Sequence, residues 1–217
     1  MDKVTVTLTH FRRLEELDIT IKSFLDTNTY PIDEFIIIDD SNLPDCAQTI
    51  INRYSSFATI VVNTEQLGQR KSLDRIFNQS RNEFIFHLED DWEFDVNTSY
   101  IEDSINILKT HQNIHQVWVR HEYDNPHKSI GDILTCGNAN YKHVDSNFNN
   151  VWNGFSWNPG LRRKSDYMNF FPEGFQVFAD ELECAKYLRQ FNYSVVKLEN
   201  TCCKHIGYSK STQPYNI

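Results

Sequence analysis

Residues 83–91 read Glu83-Phe84-Ile85-Phe86-His87-Leu88-Glu89-Asp90-Asp91, a largely apolar run that ends abruptly in three acids. Aromatic and β-branched side chains fit a pleated backbone, and a short, nearly unbroken apolar run suits a strand covered on both faces. Such strands belong to parallel sheets with helices on either side. The three carboxylates that follow repel one another unless water, hydrogen bonds or a cation relieve them. A solvated acidic turn is the ordinary outcome for a short acid run. The position at the end of a buried strand favours a binding site.

Toward the N-terminus the chain alternates strand and helix patterns. Gly68 opens a helical stretch in which Leu73, Ile76 and Phe77 share a face. Thr59-Ile60-Val61-Val62 predicts a strand, and a helix is expected over about Asp45 to Tyr54. Phe35-Ile36-Ile37-Ile38 predicts another strand, stopping at Asp39-Asp40-Ser41-Asn42, a turn-prone cluster able to cap the next helix. Leu14, Leu17, Ile21, Phe24 and Leu25 give one apolar helical face, and Val4 to Thr9 forms the first strand. Alternation of this kind implies right-handed crossovers and a mostly parallel sheet flanked by helices, an α/β fold. Ligands gather outside the carboxyl ends of such strands, where Thr9-His10, Asp39-Asp40 and Glu89-Asp90-Asp91 all fall.

Toward the C-terminus periodicity weakens. A helix is expected over about Thr98 to Thr110, a strand over His115 to Arg120, a helix over about Asp180 to Gln190 and a strand over Tyr193 to Leu198. Residues 121–160 carry little pattern and read as a long polar loop region, a binding surface or lid. With no linker or repeat, residues 1–217 read as one domain with halves of about 1–95 and 96–217.

The formal net charge of −9 argues against nucleic acid or an anionic membrane as main partner, and a phosphate ligand would need local positive charge. The longest aliphatic run, Ile36 to Ile38, is far short of the roughly 20 residues of a transmembrane helix. Met1-Asp2-Lys3-Val4 has no signal-peptide pattern. Five cysteines without disulfide spacing read as reduced packing residues, which places the chain in the cytoplasm.

The stretch from Leu67-Gly68-Gln69-Arg70-Lys71-Ser72 through Leu88-Glu89-Asp90-Asp91 resembles the GT-A (Rossmann-like) glycosyltransferases, especially the family 2 group. The likeness covers about residues 4–95: a first strand, a second ending in Asp-Asp, a helix after a glycine-containing loop, and a D-x-D-type metal motif. Here the motif begins with Glu89 instead of the commoner Asp. The resemblance implies transfer of a sugar from a UDP-sugar to a hydroxyl of a glycan or glycoprotein, with Mn2+ or Mg2+ as cofactor. It makes the first half nucleotide-binding and the second half acceptor-binding. It assigns Asp91 to the metal, Glu89 and Asp90 to outer or donor-sugar contacts, Thr9 (with His10 beside it) and Asp39 to the base, and Asp40 to the ribose. Arg70 and Lys71 would lie near the diphosphate. From the residues alone, Asp39-Asp40 is also a helix cap, and Arg70 and Lys71 are also solvated helix residues.

Gly174-Phe175 through Ala179-Asp180-Glu181-Leu182-Glu183, followed by Asn192-Tyr193, resembles the family's later acidic motif, with the acids reversed and Asn192 replacing a glycine. That likeness implies Asp180 or Glu181 as the base of an inverting reaction; an N-terminal helix acid and a retaining reaction are the alternatives. Lys204-His205-Ile206-Gly207 resembles the family's C-terminal histidine, a metal or diphosphate ligand. Arg162 and Arg163 are expected to clamp phosphates, and Trp152 and Trp157 to face sugar rings or fill core. Size and the Glu89-Asp90-Asp91-Trp92 stretch also resemble a short glycosyltransferase domain that chlorella viruses use on their capsid glycoprotein, which would mean the host cytoplasm. A GT-A-like carbohydrate-binding module without turnover is the non-enzymatic alternative.

Overall fold

In the computed structural model, which describes residues 1–124, 129–145 and 154–207, a nine-stranded sheet organises the chain. Strands Val4–His10 (β1), Glu34–Asp39 (β2), Thr59–Val62 (β3) and Phe84–Glu89 (β4) alternate with helices Leu14–Thr27 (α1), Pro44–Tyr54 (α2) and Gln69–Gln79 (α3). They lie in the order β3-β2-β1-β4, every pairing parallel. The chain leaves β1 on one side for β2 and β3, then returns to its other side for β4. A crevice therefore opens at the carboxyl ends of β1 and β4, where the connections part.

Side-chain alternation sorts this half into two cores. Phe35, Ile37, Phe84, Phe86 and Leu88 pack with Leu17, Ile21 and Phe24 of α1 on one face. Ile36, Ile38 and Ile85 pack with Leu73, Ile76 and Phe77 of α3 on the other. Two covered faces explain why β2 and β4 read as continuous apolar runs. The second face of β1 is polar yet buried: Thr5 donates to Glu34 Oε2 at 2.7 Å, and Thr7 Oγ1 meets His87 Nδ1 at 2.9 Å.

The second half contributes Trp92–Phe94 (β5), helix Tyr100–Thr110 (α4), Ile114–Trp118 (β6), Ser129–Cys136 (β7), Ala139–Val144 (β8) and Gly160–Arg163 (β9). Helices Lys164–Phe170 (α5) and Glu181–Arg189 (α6) follow, then Ser194–Leu198 (β10) and Cys203–His205 (β11). The sheet continues β9-β6-β10-β8-β7. β9 is antiparallel to both β4 and β6 and joins the halves, while β6 and β10 are parallel. β5 and β11 form a separate antiparallel ribbon.

Several expectations change. Residues 121–160 hold the β7–β8 hairpin and the start of β9, not only loop. β7 is mostly exposed, so its residues show no core-facing alternation. The turn between the two strands is Gly137-Asn138, with Gly137 at φ 60°, a hairpin chemistry that was legible. The Asp39-to-Asn42 cluster does not cap α2: Leu43 is the N-cap, without a side-chain hydrogen bond, and Pro44 opens the helix. Leu25 sits off the apolar face at 47 % exposure. All five cysteines are buried free thiols. Among the described residues no helix is long and apolar enough to cross a membrane. Trp152 lies outside the described residues.

Candidate active site

The acidic turn after β4 is pinned from two sides. Asp90 Oδ2 accepts the Phe11 amide at 2.8 Å, tying it to the end of β1. Thr20 Oγ1 of α1 donates to the Asp90 carbonyl and accepts the Trp92 amide, both at 3.0 Å. Burial raises Asp90 to about 7, partly offset by His10, Phe11 and Arg13. At the β1 end, His10 Nδ1 faces Asp39 Oδ1 at 3.0 Å, and His10 Nε2 accepts the Arg13 amide at 3.1 Å. Nδ1 therefore carries the proton.

Asp39 also accepts from the Ser41 amide and hydroxyl, at 3.1 and 2.8 Å. Burial works against its charge, yet the His10 and Ser41 bonds outweigh that and hold the acid below its usual range. The carboxylate is fully buried and does not line the cavity, whereas Asp40 does. His10, Asp39 and Cys46 bring ligand-type atoms together, but the nitrogens of His10 and the oxygens of Asp39 are already engaged by protein. Asp40 is engaged too: it accepts from Leu67 and Gly68 amides and Asn63 Nδ2, each at 2.7 Å. It holds the turn, with Gly68 at φ 81°, that launches α3. Gln69 and Ser72 are the α3 residues on the cavity. Arg70 is half-buried, with its charge felt at Asp74 and Cys184; Lys71 is exposed, and neither lines the cavity.

Between these parts lies a cavity of about 200 Å3, walled by Thr9, His10 and Phe11 on one side and Glu89, Asp90 and Asp91 on another. At its edge the β5–β11 ribbon brings His205 Nε2 to 3.0 Å from Asp91 Oδ2. The same oxygen pairs with Arg13 Nη1, and the Ile206 amide donates to the Asp91 carbonyl at 2.9 Å. A carboxylate oxygen and an imidazole nitrogen converging at one point suit Mn2+ well and Mg2+ acceptably. Gly207 keeps the spot open, since a Cβ there would lie 2.2 Å from Asp91 Oδ2. The residues fit a divalent cation, with Arg13 supplying the positive charge in this structure. Arg13 was not singled out from sequence, although it is a cation at the end of β1 beside the acids.

Glu89 is the partition between this cavity and a second, more open groove that also borders Gln69, Trp157, Asn158, Asp180, Glu181 and Leu182. Gln69 Nε2 donates to Glu89 Oε1 at 2.6 Å and Trp92 Nε1 to Oε2 at 3.3 Å. Burial, then the Asp91 and Glu181 charges, push Glu89 well above the carboxylate range. Across the groove Glu181 Oε1 accepts the Ser156 hydroxyl at 3.0 Å and the Trp157 amide at 2.5 Å. Burial raises Glu181 also, and those bonds with Arg162 and Arg120 pull it part of the way back. Asp180 is exposed and caps α6, accepting the Glu183 amide at 2.9 Å. The reversed acid order thus sets the cap first and the groove acid second.

The paired arginines are not phosphate clamps. Both are buried in β9: Arg162 donates to the Ser156 carbonyl at 2.7 Å. Arg163 donates to the carbonyls of Leu108, Gln112 and Ile114 and pairs with Asp166 at 2.8 Å. Trp157 is 5 % exposed and packs on Phe155 and Phe175, so it is core at the groove's edge. Ser156 had no signal in the sequence.

Residues 5–169 match the family model described as glycosyl transferase family 2. No curated protein sequence matches the chain. Among solved structures, it is similar to the mannosyltransferase PcManGT from Pyrobaculum calidifontis in complex with GDP-Man and Mn2+. That likeness has a TM-score of 0.65 and 15 % identity, over 97 % of this chain and 58 % of that one. S. aureus TarS 1-349 in complex with UDP gives a TM-score of 0.63 and 12 % identity, over 93 % and 60 %. GalNAc-T7 with UDP, GalNAc and Mn2+ gives 0.65 and 11 %, over 94 % and 44 %. The chain therefore spans about half of the length of these structures, and at such identities the likeness is one of fold.

Proposed function

The chain belongs to glycosyl transferase family 2, and we propose that it moves a sugar from a UDP-sugar to an acceptor hydroxyl on a glycan or glycoprotein. The reading includes a divalent cation, Mn2+ or Mg2+, and inversion at the anomeric carbon. One observation carries it: the cavity holding Asp91 and His205 and the groove holding Glu181 meet at Glu89 and Gln69. A donor in the cavity and an acceptor in the groove would face each other across that junction. The Mn2+ in PcManGT and GalNAc-T7, and the UDP in TarS and GalNAc-T7, support the choice of cation and nucleotide.

Asp91 and His205 would hold the cation, whose chemistry there is to neutralise the diphosphate and ease its departure. Thr9 and the Phe11 backbone wall the nucleotide side, with Asp90 and Asp40 fixing the loops that shape it. Glu181 takes the proton of the acceptor hydroxyl as that oxygen bonds the anomeric carbon and the bond to the diphosphate oxygen breaks. Glu89, common to both spaces, hydrogen-bonds the sugar at their junction.

The test is transfer and donor hydrolysis across a panel of nucleotide sugars with Mn2+. Glu181→Gln is expected to lower transfer by about 10²–10⁴-fold while UDP binding persists. Asp91→Asn is expected to abolish the Mn2+ dependence. Full transfer by Glu181→Gln removes the base assignment. A product of unchanged anomeric configuration shifts the reading to a retaining reaction with Glu89, the carboxyl common to both spaces, as nucleophile.

A further inference from the structure

Arg162 stands at the centre of β9, paired in register with Ile85 of β4 and Gln116 of β6, and is 1 % exposed. Its Nη2 donates to the Ser156 carbonyl at 2.7 Å, but among the described residues Nε and Nη1 have no hydrogen-bond partner. Among the described residues no carboxylate pairs with it directly; the guanidinium lies over the rings of Phe155 and Phe77, 5.5 and 5.8 Å from their centroids. Aromatic faces offset only part of the cost of a buried cation. An apolar side chain would fill the same space more cheaply, so packing alone does not account for the charge.

Its surroundings do. The Ser156 carbonyl receives a second donor, Gln116 Nε2 at 2.9 Å, and the Ser156 amide donates to Gln116 Oε1 at 3.4 Å. From that braced residue the hydroxyl of Ser156 and the amide of Trp157 both reach Glu181 Oε1. Among the described residues the charged and titratable groups that act on Glu181 are Glu89 at the end of β4, Arg162 from β9, Arg120 after β6 and Cys184 from its own helix, while the N-cap Asp180 borders the same groove.

We propose that Arg162 is the positioning residue for Glu181: it fixes Ser156 so that two donors stay aimed at that carboxylate, and turns an unshared positive charge toward it. The inference rests on the proposed role of Glu181 as base. It assigns Arg162 the task of keeping Glu181 ionised at the wall of the groove, ready to take a proton. Removing the cation leaves the proton more tightly held, so the ionisation midpoint rises and the acidic limb of the rate profile moves to higher pH.

The experiment is a 13C-carboxyl NMR titration of the full ligand-free chain, with Glu181→Gln identifying the Glu181 resonance. Arg162→Met and Arg162→Gln are expected to raise the Glu181 midpoint by about one pH unit or more, and Arg162→Lys to return most of it. Ser156→Ala gives a smaller rise. Should Arg162→Met not fold, Arg162→Gln, which keeps a donor for Ser156, carries the same test. A midpoint unmoved by losing the charge, or raised equally by Lys, overturns the proposal. Undiminished transfer by Glu181→Gln would instead sink the base assignment, leaving the titration result as it stands.

Discussion

Gly207 shows how narrow the tolerances are at the scale of one residue. Its backbone torsion is one that any residue adopts, so conformational freedom is not the reason for glycine here. Approach is: a Cβ would sit 2.2 Å from Asp91 Oδ2 and 3.1 Å from Arg13 Nη1. Gly207→Ala is expected to push Asp91 off its meeting point with His205 and weaken Mn2+ binding by about tenfold or more. Titration calorimetry with Mn2+ reads this directly, and unaltered affinity would take Asp91 out of the proposed metal site. Neighbouring acids elsewhere divide their labour in the same local way. Asp39 spends its oxygens on His10 and Ser41, and Asp40 on the turn into α3, so the pair builds the crevice and neither carboxylate has both oxygens free for a ligand.

At the scale of elements, α6 separates two acids that sequence could not tell apart. Asp180 precedes the helix and accepts from its third residue, Glu183, while Glu181 lies in the first turn and faces the groove. Asp180→Ala is expected to cost about 1 kcal/mol of stability, the usual worth of an N-cap, with transfer reduced far less than by Glu181→Gln. Thermal melts and initial rates on both variants check it; equal losses of rate would make Asp180 the base. α3 has a comparable double duty. Its Gln69 reaches Glu89, while Asp74 accepts Tyr167 and the amides of Phe175 and Gln176 at 2.9, 2.6 and 3.0 Å, tying the helix to the segment before α6.

Across the whole molecule, the two halves are joined by β9 and by the polar knot beneath it. Arg163 gathers carbonyls from the end of α4 and the start of β6, and Asp166 of α5 pairs with it. Burial raises Asp166 to about 6, despite Arg163. A carboxyl whose folded value lies above its unfolded value of about 3.9 holds its proton in the folded state first. Its favourable contribution is therefore complete at low pH and is lost as pH climbs from about 4 through about 6. Asp166→Asn removes that slope, so wild type should lose stability relative to the variant across this window. Calorimetric melting curves at stepped pH measure the difference, and a constant gap would mean that Asp166 ionises normally.

Local pattern was enough for β1 to β4 and the helices between them, because strands covered on both faces and helices with one apolar stripe leave distinct periods in sequence. It also set Glu89, Asp90 and Asp91 at the end of β4, and so beside the crevice. It could not supply β9, four residues threaded antiparallel between β4 and β6, nor the exposed strand β7, whose residues have no core to face on most of their length. Nor could it turn Arg162 and Arg163 inward, since cations are ordinarily solvated and only the packed carbonyls and rings around them make burial bearable. The meeting of Arg13, Asp91 and His205, and of Ser156 with Glu181, spans distances in the chain that no local rule reaches. Backbone preference acts between near neighbours, whereas a site is made where remote segments are forced together by the burial of their apolar faces.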